Sequence, residues 1–257
     1  DPKESIRVAK KSNDMLAKAI AKNPKRFSGF AALPMQDVDA AILEMHRAIK
    51  ELGLCGVLVN GYVNIGTPDN YKYLDDPMYR PFWAELEKLD VPLSLHPREP
   101  MPENSKNIAD TPWLGGATWA FTVETATHIL RLMCSGIFDE YPNAKLITGH
   151  FGEGLPMLFW RNQNVIERIP RGIPAKRTLM EYAQENLYYT TSAQYRTSAL
   201  WDTIMEVGSD RILFAVDYPY EKIEAGCDWF DNCMPLSEGD RYKIGRQNAI
   251  DLLKLNL

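Results

Sequence analysis

A chain of 257 residues, 45% hydrophobic and 25% charged, has the makeup of a globular protein with room for one barrel-sized domain or two small ones. Its formal net charge of −5 provides no basic field for nucleic acid or an anionic membrane, and no apolar run approaches the roughly 18 residues of a membrane helix. A small-molecule partner remains as the expectation, and Cys55, Cys134, Cys227 and Cys233, which show no CxxC spacing, read as free thiols of a cytoplasmic protein.

The pattern predicts a helix over 4–22, broken at Asn23-Pro24, then a short strand over 27–33 closed by Pro34. Val38, Ala41, Ile42, Met45, Ile49 and Leu52 recur at helical spacing, with Asp37 as cap and Gly53 as stop. Residues 55–60 read as a strand covered on both faces, and the polar loop over 61–76 is long enough to bind something. A helix over 78–89 leads to a strand over 91–96 that ends on His96, with Pro97 as its stop. A proline-containing loop over 98–114 precedes a helix over 117–134, which Gly136 ends. Residues 144–148 form a strand that delivers His150 into a turn bracketed by Gly149 and Gly152, and helix resumes from 155 to about 169. A basic linker over 170–177, a helix over 178–185, a strand over 187–192 and a helix over 199–207 follow. The last strand, 212–217, ends on Asp217, and the last helix covers 240–253.

Strand and helix alternate six times with no shift in composition, which predicts parallel βαβ units in a single domain spanning 1–257. Eight units of about 30 residues close a (β/α)8 TIM barrel, so a barrel implies two strands upstream of Asp1.

His96, His150 and Asp217 each end a predicted strand, where α/β folds place their chemistry. Two imidazoles and a carboxylate suit zinc, manganese or iron, so the three are expected to face one cavity. Asp217 could bind an ion, move a proton, or do both. Glu153, three residues after His150, could orient the imidazole or merely cap the following helix. Spacing alone leaves Arg161 and His46 on the surface. His128 has a local partner in Glu124 or simply packs, and Asn60 either lines the cavity or marks a turn. Trp83, Trp113, Trp119 and Trp160 read as core or loop anchors. No P-loop, dinucleotide fingerprint or nucleophile elbow occurs.

Several runs together resemble the metal-dependent decarboxylase branch of the amidohydrolase superfamily. They are Phe121-Thr122-Val123-Glu124-Thr125-Ala126-Thr127-His128, Ser135-Gly136-Ile137-Phe138-Asp139-Glu140-Tyr141-Pro142, Gly149-His150-Phe151-Gly152-Glu153, Asp210-Arg211-Ile212-Leu213-Phe214 and Asp217-Tyr218-Pro219. Within that branch the likeness is to the 2,6-dihydroxybenzoate (γ-resorcylate) and 2,3-dihydroxybenzoate decarboxylases. The resemblance implies an amidohydrolase-type TIM barrel with one divalent metal, zinc first and manganese or magnesium otherwise. It also implies a small aromatic carboxylate as substrate and a homo-oligomer, dimer or tetramer. It places metal binding on His96 and Asp217, substrate and proton handling on His150 and Glu153, and a substrate contact on Arg161. The family's first strand carries a Glu-x-His ligand pair that no residues here match, so about two βα units, with the remaining ligands, are expected upstream of Asp1. A metal-dependent ester, lactone or amide hydrolase on the same barrel is the alternative that the ligands leave open.

Overall fold

The computed structural model describes residues 1–232 and 236–256, which leaves Cys233 outside the described residues; Cys55, Cys134 and Cys227 are free. In chain order the strands are β1 (Phe30–Ala32), β2 (Gly56–Asn60), β3 (Val63–Asn64), β4 (Tyr71–Lys72), β5 (Leu93–His96), β6 (Leu146–Thr148), β7 (Leu187–Thr190) and β8 (Ile212–Leu213). Six of them form one parallel sheet in the order β1-β2-β5-β6-β7-β8, while β3 and β4 pair as a separate antiparallel hairpin. The expected parallel βαβ architecture is therefore present.

Continuous apolar runs become the strands because both faces of the sheet are covered. In β6 the side chains of Leu146 and Ile147 point to opposite faces and join different apolar clusters, yet both are buried. Leu146 packs in the large core with Leu93, Leu187, Trp83, Phe138 and Tyr182, and Ile147 with Leu213 and Leu252. Local signals start the flanking helices. Asp37 accepts from Ala40 N at 3.0 Å to open the helix Val38–Lys50, and Thr178 and Glu181 form a reciprocal capping box before Leu179–Glu185.

The structure departs from the expected elements where side chains take over from the backbone ladder. The predicted strand over 212–217 stops at Leu213, because Phe214 N donates to Ile244 O at 2.9 Å and Ala215 is held by the Thr191 hydroxyl. Asp217 thus lies four positions past β8, with φ at +76°. β6 likewise ends at Thr148, before His150. The loop over 61–76 contains the β3–β4 hairpin, and the loop over 98–114 contains three 3-10 turns. The helix Ile223–Asn232 has no counterpart in the sequence pattern, and the last predicted helix divides into Glu238–Tyr242, a π-helical turn over Lys243–Gln247, and Asn248–Leu253. Trp83 is a core anchor, whereas Trp113, Trp119 and Trp160 are exposed.

Asn186 fixes the start of β6. It is fully buried; its Nδ2 donates to Pro142 O at 2.9 Å and to Ala144 O at 3.0 Å, and its own carbonyl accepts from Leu146 N. Because Asn186→Ala strips a buried carbonyl, Ala144 O, and a partly buried one, Pro142 O, of their donor, it is expected to lower the unfolding free energy by about 1–3 kcal/mol, read as a fall in the denaturant midpoint at constant slope.

Candidate active site

His150 enters the site through an uncommon turn. Residues 150 to 154 all have positive φ, and three of them, His150, Phe151 and Glu153, are not glycine. Each non-glycine residue there costs about 1–2 kcal/mol, so surrounding contacts must hold the turn. Phe151 is buried against Leu200, Ile212, Phe230 and Ile244. Gly152 lies so close to Tyr189 that a Cβ would stand 2.8 Å from its ring.

The turn brings His150 between two carboxylates. Its Nδ1 donates to Glu153 Oε1 at 2.6 Å, and its Nε2 stands 3.6 Å from Asp217 Oδ2. Glu153 is almost wholly buried and also accepts from Thr122 Oγ1 at 2.8 Å, so its role is to orient the imidazole rather than to cap the next helix. Burial alone would lower the His150 pKa, but the Glu153 hydrogen bond, the Glu153 charge and Asp217 together outweigh it and raise the value above 6.5.

His96 makes no bond to this pair among the described residues. It ends β5, is exposed, and donates through Nδ1 to Pro97 O at 2.8 Å, which leaves the Nε2 lone pair free for an electrophile. Asn60 ends the adjacent strand in register with His96. β6 and β7 separate β5 from β8, and among the described residues no three His, Cys, Asp or Glu side chains are grouped to hold an ion. Of the three residues expected to face one cavity, His150 and Asp217 stand 3.6 Å apart, and His96 ends β5 at the same, carboxyl edge of the parallel sheet. Arg161 is exposed on the helix Phe159–Arg168, as spacing alone suggests.

The remaining histidines are structural. His46 Nε2 bonds Glu85 at 2.8 Å between two helices. His128 is buried and accepts from Leu74 N at 3.0 Å, with burial and then Arg131 pulling its pKa down to about 3. Glu124 is not its partner, since that carboxyl accepts from Tyr73 Oη at 2.6 Å. A cavity of about 410 Å³ beside this network is lined by Tyr71, Tyr73, Trp119, Glu124 and Arg131, and includes neither His150 nor Asp217.

The Amidohydrolase family profile matches residues 1–255. The chain belongs to the Amidohydrolase family. It is 51% identical to the gamma-resorcylate decarboxylase of Rhizobium sp. (strain MTP-10005), over 100% of this chain and 79% of that protein. Identity to the gamma-resorcylate decarboxylase of Rhodococcus jostii (strain RHA1) is 49%, over 98% of this chain and 78% of that one. Among solved structures, a 2,6-dihydroxybenzoate decarboxylase complexed with 2,6-dihydroxybenzoate superposes with a TM-score of 0.96 at 50% identity, covering 99% of this chain and 79% of that one. A dihydroxybenzoic acid decarboxylase from Polaromonas sp. JS666, with bound manganese and the inhibitor 2-nitroresorcinol, gives a TM-score of 0.96 at 48% identity, covering 100% and 78%. The amidohydrolase-type fold that the resemblance implies is therefore shared at close range.

Sequence reasoning did not single out Thr122, which holds the far oxygen of Glu153, or Thr191, Ser192 and Tyr195, which contact the backbone around His150 and Asp217. Consecutive hydroxyls at a strand end were the one available signal.

Because its pKa is raised on folding, His150 adds stability that is complete below the unfolded value of about 6.5 and is lost as pH rises through the folded value. In metal-free protein, the stability difference between wild type and Glu153→Gln is expected to shrink as pH rises above about 6.5, which melting temperatures across pH 5.5–8.5 would measure.

Proposed function

We propose that this protein is a divalent-metal-dependent, non-oxidative decarboxylase of hydroxylated benzoates, a carbon-carbon lyase. The observation that carries the reading is the His150 imidazole held between Glu153 and Asp217, in a chain half identical to gamma-resorcylate decarboxylases. The substrate is a small aromatic carboxylate of the 2,6-dihydroxybenzoate type.

His96, through its free Nε2, and Asp217, through its carboxylate, would hold the ion; an imidazole nitrogen and a carboxylate oxygen are donors that divalent cations accept. When bound, the ion supplies Lewis acidity and a template for the substrate carboxylate and ortho hydroxyl. The proton step is assigned to Asp217, which delivers a proton to the ring carbon bearing the carboxylate. The bond from ring to carboxylate then breaks, CO2 departs, and the bonding pair returns to the ring and restores aromaticity. His150, with its affinity for protons raised by Glu153, stands where it can return a proton to Asp217. Asn60, beside His96 with its amide free of protein hydrogen bonds among the described residues, is assigned a substrate contact. Arg161 is assigned another on the family resemblance alone.

The protein is further assigned a single barrel-type domain, a native ion drawn from zinc, manganese and magnesium, a dimeric or tetrameric assembly and a cytoplasmic setting. Bound manganese in the Polaromonas relative supports a divalent ion, and the three free cysteines suit a reducing compartment. No helix among the described residues is long and apolar enough to cross a membrane.

The test is CO2 release from a panel of dihydroxybenzoates with and without chelator. Turnover is expected to vanish on metal removal and return with manganese or zinc, and Asp217→Asn is expected to lower kcat by roughly 10²- to 10⁴-fold. Turnover that survives complete chelation would sink the mechanism.

A further inference from the structure

His150 follows β6 and Asp217 follows β8, yet the two side chains face each other across the end of β7, which contributes no acid, base or ligand of its own. What β7 contributes is a row of hydroxyls. On one side, Ser192 Oγ accepts from His150 N at 3.3 Å and is itself bonded to Thr190 Oγ1 at 2.7 Å. On the other side, the Thr191 hydroxyl donates to Ala215 O at 2.8 Å and accepts from Ala215 N at 3.0 Å. One side chain thereby replaces both ladder bonds that a longer β8 would have made. Tyr195 Oη continues the row and donates to Val216 O at 2.6 Å, one residue before Asp217. Gly226 leaves room for that phenol, since a Cβ there would lie 3.0 Å from Tyr195 Oη.

Both supported segments need support. His150 and Asp217 each hold positive φ as non-glycine residues, so relaxation of either backbone is favourable unless opposed. Thr191 is fully buried, so no water can substitute for its hydroxyl at Ala215.

We propose that Thr191, Ser192 and Tyr195 form a positioning clamp at the end of β7 that sets the separation of His150 and Asp217, and through it the divalent-metal affinity and turnover of the site. The clamp rests on the decarboxylase reading above and touches neither ion nor substrate. Thr191 is its centre, because it alone grips a backbone N–H and a carbonyl of the same residue.

The experiment measures Mn²⁺ dissociation constants by EPR titration, and kcat and KM by CO2 release, for wild type, Thr191→Val, Thr191→Ser, Tyr195→Phe and Thr203→Val. Thr203 is a control, because its buried hydroxyl bonds Ala199 O within a helix outside the clamp. Loss of an outer support of this kind costs about 10- to 100-fold in metal affinity or activity, so Thr191→Val is expected to weaken Mn²⁺ binding and lower kcat over that range. KM is expected to stay within about twofold, because no substrate contact is removed. Thr191→Ser keeps the hydroxyl and restores both values, Tyr195→Phe shows the same direction more weakly, and Thr203→Val leaves Mn²⁺ affinity unchanged. Wild-type affinity and kcat in folded Thr191→Val overturn the clamp while leaving the decarboxylase intact. A wild type that neither binds Mn²⁺ nor releases CO2 overturns the decarboxylase reading and the clamp with it. If Thr191→Val does not fold, Tyr195→Phe decides: its ring can keep the stacking on Trp229, and unchanged affinity and kcat there overturn the proposal.

Discussion

A parallel sheet buried on both faces can offer chemistry only at the places where its strands end, and this fold depends on that constraint. β6 is buried along its whole length, and its one polar side chain, Thr148, is satisfied by donating to Tyr188 O at 3.0 Å, so an ionisable side chain on the strand itself would be cut off from solvent. The first position at which an imidazole can meet both protein and solvent lies just past Thr148. His150 occupies it, a quarter exposed, with Glu153 behind it and Asp217 in front.

The same residue type shows what surroundings do to a proton. His128 lies in the core with no carboxylate bonded to it, and burial keeps it neutral down to strongly acid conditions. His150 is also largely enclosed, but two carboxylates outweigh the desolvation and favour the charged form. Conversely, Glu124 is driven toward its neutral form by burial, while Tyr73 donates to it. Proximity in sequence therefore misleads for Glu124 and His128, which stand one helical turn apart without bonding, and guides correctly for His150 and Glu153, which stand across a turn.

Most of the sheet was legible because its signals are local: apolar runs bounded by proline and glycine, and capping side chains such as Asp37 and Thr178. The position of His96 followed from the strand it terminates, and that of His150 from the strand that ends two residues before it. What could not be read was the point at which β8 gives way, since Ile212 to Val216 is as apolar and β-branched as any strand in the chain. Its ladder ends because Thr191, more than twenty residues away, claims Ala215, and no periodicity reports a bond of that range. The β3–β4 hairpin escaped for a similar reason. Its neighbour Arg98, stacked on Tyr62 and bonded to Tyr62 O and Asn64, ties it down from the far side of β5.

The early ending of β8 has a consequence for the backbone beyond it. A residue paired in a ladder takes extended φ and ψ, and the positive φ of Asp217 is incompatible with that. Beyond Leu213 the groups that would have prolonged the ladder are already engaged by a hydroxyl, a phenol and Ile244. The bonds that end β8 therefore also release Asp217 from the alternation of a strand, so its carboxylate need not follow the face that pleating would assign to it.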